Sequence, residues 1–203
     1  MDFVNQEKPV DISLEKKLML YGIVLDVLTN LVSRGVERIE KAGGGEASGM
    51  FGILYIILGL LGIIGVIMHI YGVYKFSIKV NDEKIKNNAI ICGVLKVVGL
   101  LFVFLGVVGT FLGIIFLPLI ICGPGLAILG LILYLISYYF MGEYLLRIYQ
   151  YTSIKLFEEC GKYMKWGVFT YILLIGFLLV GISLLGSIFA FAKLPDTLGI
   201  KEP

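Results

Sequence analysis

MFGILYIILGLLGIIGVIMHIYGVY, residues 50–74, decides the fold. The stretch contains no Asp, Glu, Lys or Arg. As an α-helix it would reach ~37 Å, more than the ~30 Å of a hydrocarbon layer. A soluble core of this size needs no helix that is apolar on every face. Three more uncharged apolar stretches follow, Val97–Leu117, Gly125–Gly142 and Trp166–Phe191. The chain is an integral membrane protein by this reading: all-α, a polytopic transmembrane helical bundle.

The rest of the composition agrees. Of 203 residues, 59% are hydrophobic and 16% charged, and the mean hydropathy of +0.96 is far from that of a soluble domain. Spans consume most of the chain, so no loop is long enough for a separate soluble domain. A net charge of +2 does not point to nucleic acid, and the lysines follow the loops. Cys92, Cys122 and Cys160 lack metal-type spacing, and His69 is the single histidine. No metal and no other cofactor is expected. Phosphate loops, nucleophile elbows and H-E-x-x-H are absent, so an enzyme is not expected.

The first span is the least regular. Leu18–Val32 is apolar but contains Asp26 and Asn30, and an aspartate at mid-span costs ~2.5–3.5 kcal/mol. It has no A-x-A site and is not expected to be a cleaved signal. SRGVERIEK continues it with helical charge spacing, and Gly-rich 42–49 then breaks the helix. Five spans follow, at about 18–33, 50–74, 89–117, 123–146 and 166–192, in a single domain over residues 1–203. Polar loops are expected at 34–49, 75–88 and 147–165. The alternative is four spans plus an N-terminal interfacial amphipathic helix.

Loop charges set the orientation. The loop after Tyr74 carries Lys75, Lys79, Lys84 and Lys86, and the one before Trp166 carries Arg147, Lys155, Lys162 and Lys165. The positive-inside bias puts both loops and the N-terminus in the cytoplasm and the C-terminus outside the cell membrane. Tyr71, Tyr74, Tyr138, Tyr139 and Trp166 fall near the same interface, where ring bodies meet lipid and polar tips meet water. Pro118 and CGPG at 122–125 predict a tight turn between spans three and four. Residues 149–165 mix Tyr151, Ile154, Leu156 and Phe157 with charges, as a segment lying on the membrane would.

Two features carry candidate sites. Gly99, Gly106, Gly109 and Gly113 lie on one face of the third span, the last two as a literal G-x-x-x-G. Such a face permits close backbone approach where lipid supplies little hydrophobic drive. Packing within the bundle is its first reading, and a seam between protomers its second. Asp26 and Lys96 would enter ~12–14 Å from the same side, which makes them a candidate intramembrane polar pair. The plainer expectation is that Lys96 snorkels to the interface. Glu143 and Arg147, at i and i+4, are expected to pair on the surface.

The frame Phe157-x3-Gly161-x5-Gly167-x8-Gly176-Phe177, then Phe189-Ala190-Phe191, resembles a family of small archaeal multi-pass membrane proteins, the domain of unknown function 996. Upstream, YGVYKFSIKVNDEKIKNNAI is similar to that family's helix end, polar loop and next helix start. The resemblance implies a membrane location and archaeal origin and implies no activity. The family would have a cleaner first span than Leu18–Val32 with its Asp26. The function expected is a non-enzymatic structural or assembly component packing through glycine faces, with the lipid bilayer and a homo-oligomer or another membrane protein as partners. A small transporter or oligomeric channel is the alternative.

Overall fold

The computed structural model describes residues 8–42, 48–112, 117–171 and 175–200. Its elements run β1 (Lys8–Asp11), α1 (Ser13–Ala42), α2 (Ser48–Lys79), α3 (Glu83–Leu112), α4 (Leu117–Thr152), α5 (Lys155–Phe169), α6 (Ile175–Ala192) and β2 (Thr197–Ile200). Five of the helices, all but α5, are long and apolar enough to cross a membrane. The chain divides into two compact units, one of Met1–Asn81 with Ile188–Pro203 and one of Asp82–Ser187.

In the first unit α1 and α2 run antiparallel. Lys79 on α2 bonds Glu15 on α1 at 2.7 Å, and at the far ends Tyr55 donates to Glu40 at 3.3 Å. The helix start is capped by Asp11, whose Oδ1 accepts from the Ser13 N–H at 2.9 Å. That bond, which favours the ionised carboxyl, holds Asp11 below the usual carboxylate range. β1 and β2 pair antiparallel, Asp11 opposite Thr197 and Lys8 opposite Ile200. Ile12 N–H extends the ladder to the Asp196 carbonyl at 2.8 Å, and Lys16 pairs with Asp196 at 3.0 Å.

The ladder places residues 8–11 beside residues 197–200, whereas the loop charges alone read as an N-terminus inside and a C-terminus outside.

In the second unit α3 and α4 form the longest hairpin. Asp82 caps α3 through Oδ1, accepting from Lys84 N–H at 2.8 Å and Ile85 N–H at 3.0 Å. Its other oxygen accepts from the Tyr151 hydroxyl at 3.0 Å, which fixes the end of α4 beside the start of α3. The turns before α3 and α5 place Asn81 and Ser153 at positive φ, 53° and 54°, sharp enough to reverse the chain in a few residues.

Element bounds differ from expectation in several places. α1 runs from Ser13 through Ala42, beyond the expected span 18–33 and into the expected 34–49 loop, and α3 begins at Glu83 inside the expected 75–88 loop. CGPG at 122–125 lies inside α4 and makes no turn. Proline is tolerated within a membrane helix whose neighbours satisfy the freed backbone, and Gly123 there seats α4 on α3. The 147–165 loop is the end of α4 and most of α5. The expected span 166–192 is divided, because Trp166–Phe169 complete α5 and α6 begins at Ile175.

Candidate functional site: glycine seams and buried polar residues

Glycine decides where helices touch. A Cβ on Gly99 would lie 2.8 Å from the Gly130 carbonyl, and one on Gly123 would lie 2.8 Å from that of Gly106. Gly99 and Gly106 are seven residues apart on α3, and Gly123 and Gly130 seven apart on α4. Two turns of each helix thus bring glycine against glycine twice. Gly109 takes a looser place, 3.6 Å from the Gly123 Cα. Gly113 lies outside the described residues.

The same device recurs along the chain. A Cβ on Gly65 of α2 would lie 2.8 Å from the Gly22 carbonyl of α1, and one on Gly72 the same distance from the Met19 nitrogen. A Cβ on Gly161 of α5 would lie 2.9 Å from the Gly142 carbonyl of α4, and one on Gly167 3.1 Å from the Gly176 carbonyl of α6. Every one of these helices therefore packs with its backbone, where dispersion and weak C–H···O contacts replace the missing hydrophobic drive. By contrast Gly59 on α2 and Gly181 on α6 meet nothing within 4 Å. The third-span face was legible as G-x-x-x-G; its partners on α4 were missed, although their heptad spacing is the same.

The ionisable residues within the spans are buried. Asp26, on α1 in the first unit, accepts from Asn30 Nδ2 at 3.2 Å. Thr29 beside it returns its hydroxyl to the Leu25 carbonyl at 2.9 Å. His69 on α2 bonds the Met19 carbonyl through Nδ1 at 2.9 Å, so that nitrogen carries the proton. Its ring stands edge-on to Phe191, centroids 5.3 Å apart.

Lys96, on α3 in the second unit, is 3% exposed and does not snorkel. Its ammonium lies 5.0 Å from the centroid of the Tyr138 ring. Tyr138 in turn donates to the Tyr134 hydroxyl at 3.1 Å, and the two rings are perpendicular. Asp26 and Lys96 fall in different units. Sequence reasoning offers Asp26 and Lys96 as a pair but expects Lys96 at the interface, and it does not connect Lys96 with the tyrosines, which lie one helical turn apart on α4.

At the α4–α5 junction the expected Glu143–Arg147 pair is replaced. Glu143 instead takes Lys165 at 2.5 Å, while Arg147 donates to Gln150 at 3.2 Å. The reason is steric: Gly142 against Gly161 brings α5 close enough for Lys165 to reach Glu143. The bond to Glu143 raises Lys165 above its ordinary value. Deeper in this seam the Ser183 hydroxyl donates to the Cys160 carbonyl at 2.6 Å, and burial pushes the Cys160 thiol up. A thiol held protonated is a poor nucleophile. Among the described residues no cluster of His, Cys, Asp and Glu could hold a metal ion.

A family model described as "Protein of unknown function (DUF996)" matches residues 61–185, from the middle of α2 into α6. The matched stretch contains the glycine pairs of α3, α4 and α5 and leaves α1 outside it. No curated protein and no solved structure matches the chain.

Proposed function

This chain belongs to the DUF996 family of multi-pass membrane proteins, and on that premise we propose that it is a non-enzymatic assembly component that associates with a second copy of itself in the bilayer. The division of the glycines carries this reading. Those that meet a neighbouring backbone are spent on the protein's own hairpins. Gly59 and Gly181 are not, and each stands among exposed aliphatic side chains such as Ile56, Leu60, Ile182 and Leu185. A helical glycine that packs on nothing costs ~0.5–1 kcal/mol relative to alanine. An outward glycine in an apolar helix suits a second helix that needs a flat place to lie.

The loop charges support a cytoplasmic side for both strands and for the turns before α3 and α5. Of the sixteen lysines and arginines among the described residues, only Arg34, Arg38 and Lys41 belong to the opposite ends, with Lys96 buried within the span.

A transporter is the second reading, favoured by the buried Asp26, His69 and Lys96 at span depth. Reconstitution separates the two. Single cysteines replacing Gly59 or Gly181 are expected to crosslink between protomers in vesicles that pass no solute, whereas one replacing the buried Ala89 does not. Solute flux that disappears in Asp26→Asn, without crosslinks between copies, overturns assembly in favour of transport.

A further inference from the structure

A helix that is too short constrains the one after it. Within the second unit α5 and α6 run antiparallel, Gly167 beside Gly176 near the turn and Cys160 beside Ser183 and Gly186 further along. α6 therefore returns toward the side from which α5 sets out, and the two cross together or not at all.

Two crossings would require α5 to be a span. It has 15 residues, ~21 Å between its ends against a ~30 Å hydrocarbon layer. It also carries Glu158, Glu159, Lys162 and Lys165, each ionised group costing ~2.5–3.5 kcal/mol at mid-membrane. α5 does not cross, and so neither does α6. Yet α6 exposes Phe177, Leu178, Ile182 and Phe189 along its length, a surface that water would reject. It packs back along α5: Gly176 against Gly167 near the turn, Ser183 on Cys160, and Gly186 over the Cys160 sulfur.

We propose that α5 and α6 form a re-entrant hairpin seated in one leaflet, the outer face of α5 a lipid-binding surface. The exposed face of α5 is graded for that task. Lys155 and Lys162 come first, at headgroup depth; Tyr163 follows, then Trp166 and Phe169, 62% and 68% exposed, at the tip among acyl chains. Phe169 lies 6.1 Å from Tyr139, a member of the interfacial tyrosine belt, which puts the tip just beneath the headgroups. The helix backbones of α5 and α4 are packed together through Gly161 and Gly142.

Trp166 is the chain's only tryptophan, so the unaltered protein reports its own depth. In phosphatidylcholine vesicles its fluorescence is expected to be quenched most by bromines placed high on the acyl chain. Less quenching is expected from bromines at the chain end, and little from aqueous iodide. Sidedness is read separately, with single cysteines at Lys17→Cys, Glu37→Cys and Lys193→Cys after Cys92, Cys122 and Cys160 are replaced by alanine. A membrane-impermeant maleimide is expected to label positions 17 and 193 from one face of sealed vesicles and position 37 from the other. Labelling of 193 together with 37 makes α6 a crossing helix and overturns the hairpin. So does a Trp166 that iodide quenches and brominated lipid does not, and that measurement stands even if the cysteine-free protein fails to fold.

Discussion

Gly106 of α3 and Gly123 of α4 face each other so closely that a Cβ on Gly123 would lie 2.8 Å from the Gly106 carbonyl and 2.6 Å from the Thr110 N–H. Backbone, with the short Thr110 side chain beside it, occupies the space. Gly123→Ala must push the helices apart there. A destabilisation of ~1–3 kcal/mol is expected, the usual cost of overpacking, read as a lower unfolding midpoint in detergent micelles. Gly59→Ala has open space and should raise the midpoint slightly, by ~0.4–1 kcal/mol. Equal effects of the two substitutions would remove the distinction between inward and outward glycines.

Lys165 and Glu143 link α5 to α4 and make that joint sensitive to alkali. The folded-state pKa of Lys165 is raised, foremost by its bond to Glu143. The joint is therefore fully stabilised below the unfolded lysine value of ~10.4 and weakens as pH rises through the higher folded value. Stability should fall in that alkaline window and hold from neutral pH up to it. Glu143→Gln should abolish the pH-dependent part while costing ~0.2–1 kcal/mol at pH 7, the range for partly exposed pairs. Trp166 fluorescence, one residue away, follows α5 in both proteins; an unchanged alkaline transition in Glu143→Gln would assign it elsewhere.

The apolar runs made the membrane class and the five long helices legible, because hydrophobic length reads directly from composition. The helical continuation SRGVERIEK and the amphipathic character of 149–165 were also legible, though the latter reads as a loop. What escaped was pairing. Loop charge counts which side each loop favours, but β1 and β2 are four residues each and carry no signal at that length until they meet. Likewise Trp166–Phe191 reads as one span because it has no charge. Only contact of Gly167 with Gly176 reveals a reversal there, and a glycine has the same composition whether it bends a chain or packs within it. Lys96 was expected to reach water because its burial depends on Tyr138, a residue 42 positions away in the sequence.

Tyr138 and Lys96 give a substitution series whose order is the test. Tyr138→Phe keeps a ring 5.0 Å from the ammonium and loses the hydroxyl bond to Tyr134, a cost of ~0.5–1.5 kcal/mol. Tyr138→Leu also removes the ring quadrupole, adding ~0.5–2 kcal/mol for a desolvated cation. The expected order of stability is wild type, then Tyr138→Phe, then Tyr138→Leu, measured by chemical unfolding in one detergent. If Tyr138→Leu matches Tyr138→Phe, the ring does nothing for Lys96 beyond filling space.

Asp11 and Thr197 stand opposite each other in the strand pair, and opposed residues of an antiparallel ladder have Cα atoms ~4.5–5.5 Å apart. That separation lies inside the range a disulfide spans. In a protein whose three native cysteines are replaced, Asp11→Cys with Thr197→Cys should oxidise within one chain, giving a faster-migrating band that reductant reverses. A pair moved out of register, Asp11→Cys with Gly199→Cys, should crosslink far less, because two residues along a strand add ~6–7 Å. The measurement bears on more than the ladder. Chain ends on opposite faces of a bilayer, ~30 Å apart at the least, can never form this bond in an intact vesicle. Crosslinking in membranes before detergent is added would place both ends on one face, and its absence there, with formation only after solubilisation, would mean the strands meet outside the native membrane state.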